Sequence, residues 1–135
     1  MPSLPPRELS GAARRFLTER HLATLTTLRA DGSPHVVPVG FTYDEPTALV
    51  RVITRAGAVK ALNAARGGRA VVSSFDGGRW ISLEGTAQVT DDPDAVAEAV
   101  RRYAERYRQP AERADRVAIH IEIDAVLCGR AMMEP

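Results

Sequence analysis

Cysteine, lysine and tryptophan each occur once in this 135-residue chain, as Cys128, Lys60 and Trp80. A lone cysteine forms no intrachain disulfide, so a disulfide-stapled scaffold is excluded. Aromatic residues are only 5% of the chain and are not interleaved with basic runs, and 18 Lys+Arg stand against 17 Asp+Glu. That composition argues against a nucleic-acid module. No apolar run approaches the roughly 20 residues of a membrane-spanning helix. The opening Met1-Pro2-Ser3-Leu4-Pro5-Pro6-Arg7 lacks the apolar stretch of a signal peptide, so a cytoplasmic protein without a membrane partner is expected. Nucleotide-binding G-x-G-x-x-G and G-x-x-x-x-G-K-[ST] runs are missing, as are C-x-x-C, H-E-x-x-H and G-x-S-x-G. His21, His35 and His120 lie apart without ligand-like spacing, so no metal site is expected. No set of side chains stands out as the reactive group, and any catalysis is expected to be carried by a cofactor.

What is present is enough for a core: 44% of residues are hydrophobic. The length fits one domain over 1–135, with residues 1–7 a loose, proline-rich arm. A helix is expected from about Glu8 to Glu19, with Ser10 as a candidate cap and Ala12, Ala13, Phe16 and Leu17 on its apolar face. Strands are expected over 21–29, 35–43, 47–54, 69–75, 79–90 and 116–127, where β-branched and apolar residues recur at period two. Asp31-Gly32 and Asp76-Gly77-Gly78 are hairpin signals. Helices are expected at 57–65 and after Asp92-Pro93, where a cap residue precedes a proline at the first position. The sum is a mainly β, α+β fold: a six-stranded antiparallel barrel with short connecting helices.

Two features point to a ligand. In Val52-Ile53-Thr54-Arg55-Ala56-Gly57-Ala58-Val59-Lys60-Ala61-Leu62-Asn63 a strand ends, a small-residue loop follows and a helix begins. Free N–H groups at such a start attract anions, and Arg55, Lys60 and the Thr54 hydroxyl would add to the attraction. The alternative is a solvated basic helix start, although cations are disfavoured there unless an anion is bound. Seventeen of the 18 basic residues are arginine, which sets the one lysine apart as a compact, flexible charge. The second feature is Trp80, which alternation places opposite the apolar face of Ile81, Leu83, Ala87 and Val89. It belongs either to an interface or ligand pocket, or beneath a connecting helix.

Three stretches together, HLATLTTLRADGSPHVVPVGF, RVITRAGAVKALNAARG and GGRWISLEGTAQVT, resemble the split-barrel flavin and deazaflavin oxidoreductases. This is the pyridoxamine 5′-phosphate oxidase-like superfamily, of FMN-binding split-barrel type, and the resemblance covers about residues 10 to 130. The short length and the run ERHLATLTTLRADGSPHVV look like the branch using coenzyme F420, most similar to F420-dependent biliverdin reductases. A longer chain with a C-terminal substrate segment would be needed for pyridoxamine-phosphate oxidation, so that activity is not expected. The resemblance implies a hydride passed from reduced deazaflavin to a conjugated acceptor, and a homodimer with cofactor sites at its interface. It implies cofactor contacts at Val37, Pro38, Val52, Ile53, Thr54, Arg55, Lys60, Asn63 and Trp80. Arg29 and His35 are candidates for the propionates of such a substrate, or else an ordinary turn arginine and a packed histidine. FMN in place of F420, or a non-enzymatic cofactor carrier, remain the alternatives.

Overall fold

The computed structural model describes residues 2–135. Its eight strands are β1 (Ser3–Leu4), β2 (Ala23–Leu28), β3 (Pro34–Val39), β4 (Thr42–Asp44), β5 (Leu49–Arg55), β6 (Arg69–Asp76), β7 (Arg79–Thr90) and β8 (Arg116–Cys128). Three helices, α1 (Gly11–Thr18), α2 (Val59–Ala65) and α3 (Pro93–Arg106), connect and cover them. The strands run β3-β2-β6-β7-β8-β5-β4, every pair antiparallel, and β1 adds to β8. The barrel class is as expected; the strand count is eight and not six.

Two local differences account for the count. The arm is not loose throughout, because Ser3 and Leu4 pair with Leu127 and Val126, and Leu4 packs on the core. A two-residue strand between prolines has no period to read. The expected strand 35–43 is broken at Gly40-Phe41. There the backbone leaves one sheet edge for the other, and its polar groups find side chains instead of a neighbouring strand. Phe41 N–H donates to Tyr107 Oη at 3.2 Å, Arg106 Nη1 donates to Phe41 O at 2.5 Å, and Tyr107 Oη donates to His21 O at 2.6 Å. Tyr107 and Arg106, at the end of α3, thus close the barrel over that break.

Local signals explain the rest. Ser10 caps α1 through the Ala13 N–H, and Asp92 caps α3 through the Ala95 N–H with Pro93 next. Gly32 and Gly77 take φ of 85° and 60° in the two hairpins. Inward residues of five strands, among them Leu25, Val50, Val52, Val72, Ile81, Leu83, Ile119 and Ile121, form one core with Phe16 of α1 and Phe41. α3 is only lightly buried, with Ala99 its one fully buried residue.

Between α3 and the sheet lies a polar layer. Arg51 and Arg102 both reach Asp44 Oδ2 at 3.4 Å, and His120 lies opposite Arg51 on β8. Burial, then the Arg51 charge, hold His120 below the ordinary histidine pKa of 6.5, with Glu122 opposing. A depressed folded-state pKa means that the unfolded chain binds this proton more tightly. The stabilisation is therefore complete above pH 6.5 and is lost as pH falls through 6.5 towards the folded value. The melting temperature of the wild type should fall over that window, and that of His120→Gln should fall less. Parallel melting curves would refute the assignment.

Candidate functional site

The closure at Gly40 brings the ends of β3 and β5 to the two walls of one cleft. Its volume is about 420 Å³, and Pro38, Val39 and Gly40 face Ile53, Thr54 and Arg55 across it. Ala58 and Lys60 come from the start of α2, Tyr103 from α3, and Pro110, Arg113 and Arg116 from the segment leading into β8. Four of these lining residues are cations, and no carboxylate is among them.

The cations differ in how they are held. Arg113 pairs with Asp115 at 2.9 Å, and Arg116 donates to Ala111 O at 2.7 Å. Among the described residues, Arg55 and Lys60 have no ion pair. Ala56 N–H donates to Asp115 O at 2.9 Å and Ala58 N–H to Arg55 O at 3.1 Å, which ties down the loop between β5 and α2. The Arg55 guanidinium lies over Gly57, with Nη1 3.1 Å from where a Cβ would sit. Lys60 is the second residue of α2, whose cap, Ala58, offers no side-chain acceptor. The first-turn N–H groups therefore point outward beside two unpaired cations. Such an arrangement disfavours further cations and is complementary to an anion.

Five of the residues named from sequence meet in this cleft: Pro38, Ile53, Thr54, Arg55 and Lys60. The others lie elsewhere. Val52 is 1% exposed and points into the barrel, and Val37 packs against the same core. Period two puts Val52 and Ile53 on opposite faces, so only Ile53 reaches the cleft. Asn63 is buried, donates to Thr27 Oγ1 at 3.1 Å and accepts from Arg66 at 2.5 Å. These bonds tie α2 to β2 and leave no polar atom for the cleft. Arg29 spans its own hairpin, donating to Pro34 O at 2.6 Å. His35 sits opposite Thr27, with Nδ1 buried and unpartnered. Trp80 is opposite Phe75 at the far hairpin, with its indole against the Gly129 backbone. It is half-buried and lies away from the cleft of its own chain.

Sequence reading missed Gly40, Tyr103, Arg113 and Arg116 as cleft residues. Tyr103 carries no local signal in the sequence that would bring it to the cleft. The two arginines lie more than 50 positions from Arg55 with no local pattern to connect them.

The profile of the family described as Pyridoxamine 5'-phosphate oxidase matches residues 9–127. The chain belongs to this family. A relative within it, the F420H(2)-dependent biliverdin reductase of Mycobacterium tuberculosis (strain CDC 1551 / Oshkosh), is 59% identical over 126 residues. The match covers 93% of this chain and 92% of that protein. Among solved structures, a conserved hypothetical protein of Mycobacterium tuberculosis superposes with a TM-score of 0.75 at 23% identity, covering 100% of this chain and 94% of that one. A protein described as an F420 reductase superposes with a TM-score of 0.67 at 24% identity, covering 84% of this chain and 94% of that one. At these identities the two structures speak for the shared fold. Within the family's split barrel, the cleft at Gly40 is where the two sheet edges meet.

Proposed function

We propose that this protein is an oxidoreductase that uses reduced coenzyme F420 to reduce biliverdin. The cleft carries the reading: two cations without an ion pair among the described residues and no lining carboxylate, beside an apolar wall of Pro38, Val39 and Ile53. The 59% identical relative supplies the names of cofactor and substrate. When bound, reduced F420 supplies a hydride to an electrophilic carbon of a conjugated acceptor. Arg55, Lys60 and Thr54 hold the anionic tail at the α2 start. Pro38 and Ile53 offer a flat apolar surface against which a planar ring can lie with water excluded. The protein contributes position and charge complementarity, and a cytoplasmic location is part of the same reading.

The proposal includes a homodimer. Among the described residues, no helix covers the outward face of β3, β2, β6 and β7. Cross-strand rows there run Val36, Thr26, Val71, Glu84 and Pro38, Thr24, Ser73, Ser82. Val36 is 55% exposed, Leu22 67% and Phe75 71%. Such a sheet face, with Glu84 the one charge in these two rows, suits burial against a second copy. Pro38 belongs both to this face and to the cleft, so a partner docked there abuts the cofactor site, and two-fold symmetry makes two equivalent sites.

One experiment tests both parts. The apo protein is titrated with F420 and with FMN, following Trp80 fluorescence, and its mass is measured by light scattering. Tight binding of F420 by a particle of twice 14.6 kDa, followed by biliverdin reduction with the reduced cofactor, is the expected result. Preference for FMN would move the protein to the flavin branch. F420 binding without turnover would make it a carrier, and a monomer that binds F420 would overturn the dimer.

A further inference from the structure

We propose that Tyr103 is a direct ligand of the cofactor, its hydroxyl donating a hydrogen bond to an anionic oxygen held between Arg55 and Lys60. The inference rests on the reading of the cleft as the F420 site. Tyr103 and Tyr107 are one turn apart on α3, and their rings pack with centroids 4.9 Å apart and a tilt of 33°. The two hydroxyls have different surroundings. That of Tyr107 is fully engaged, accepting from Phe41 N–H and donating to His21 O. Burial raises its pKa, which keeps it protonated as a donor. The Tyr103 hydroxyl has no partner among the described residues and is not one of the buried orphaned atoms, so it is an accessible, unused donor on a residue that lines the cleft.

The position of that ring is built in. Gly40 has no side chain, and Tyr103 Cε2 lies 2.9 Å from where its Cβ would be. Tyr107 carbons lie at 3.1 and 3.2 Å from the same point. The anchored Tyr107 and the bare Gly40 backbone together hold the Tyr103 ring in the cleft wall. Phenylalanine would fill this place equally well, so packing alone gives no reason for the oxygen. Around it the lining offers cations and the Thr54 hydroxyl but no carboxylate. A phenol supplies one O–H donor, and a phosphate or carboxylate oxygen brought in by the cofactor is the anionic acceptor this site lacks.

Tyr103→Phe removes only that oxygen. The variant and the wild type are titrated with F420 while their melting temperatures are compared. The expected result is an unchanged melting temperature and an F420 dissociation constant raised about tenfold, the usual loss for one hydrogen bond to a charged group. An unchanged dissociation constant, with the wild type binding F420, would overturn the assignment and leave the proposed function standing. A melting temperature lowered by several degrees would show that the oxygen serves the fold and would also overturn it. Failure of the wild type to bind F420 would remove the proposed function, and the role of Tyr103 with it.

Discussion

Gly85→Ala is expected to destabilise the protein by about 4 kcal/mol or more, beyond the usual range for one added methyl group. A Cβ at this position would lie 1.9 Å from Glu122 O and 2.6 Å from Glu122 C. Both are backbone atoms, and neither can move aside. β8 is held on one side by β7 and on the other by β5, with Glu122 opposite Thr86 and Leu49. The contact is close because the strands are bulged here: Glu84 pairs with Ala125, but Gly85 pairs with Ile123. The extra residue, Asp124, turns outward to pair with Arg69 at 2.6 Å, and Ile123 N–H is left to donate to Ala48 O at 2.8 Å. The bulge bends β7 and β8 around the barrel and needs a glycine at its inner side. Urea unfolding checks the expectation, with Gly78→Ala as control. Nothing lies within 4 Å of a Cβ at Gly78, and that variant should stay within about 1 kcal/mol of wild type. A Gly85→Ala midpoint equal to that of wild type would show that the two central strands can part without loss.

Removing Lys60 or Arg55 should weaken cofactor binding markedly. Each side chain is expected to give a charge-assisted contact to an anionic oxygen of about 1.5–3 kcal/mol. Lys60→Ala and Arg55→Ala should each raise the F420 dissociation constant by roughly 10- to 100-fold, since about 1.4 kcal/mol is a factor of ten. Neither side chain has an ion-pair partner among the described residues, so melting temperatures should stay close to wild type. Added salt should narrow the difference between variant and wild type, because the lost term is electrostatic. Lys60→Arg is the sharper variant. Seventeen arginines show that this chain uses arginine readily. If a compact ammonium is needed at the second residue of α2, Lys60→Arg should recover only part of the affinity. Unchanged affinity in Lys60→Ala would remove Lys60 from the site.

The sequence by itself determined the pieces. Alternation over 116–127 marked the central strand, and its inward residues Ile119 and Ile121 are fully buried. The two Asp-Gly turns and the Asp92-Pro93 start are set by residues within three positions of each other, because positive φ, capping and proline geometry are local. The basic cleft segment was legible for the same reason: Thr54, Arg55 and Lys60 span seven residues at one strand-to-helix junction. Only the tertiary structure decided what stands opposite that segment. β8 lies between β7 and β5 through long-range backbone pairing that no short window of sequence encodes. The strand expected over 35–43 breaks because Tyr107 and Arg106, more than 60 positions away, satisfy the Phe41 backbone. Val52 and Ile53, both expected at the cofactor, were separated by the barrel's inside and outside. Asn63 and Trp80 were carried away from the cleft by bonds and packing specific to their own neighbours. Tyr103, Arg113 and Arg116 were brought to it when the sheet closed at Gly40, an event of packing across the whole chain.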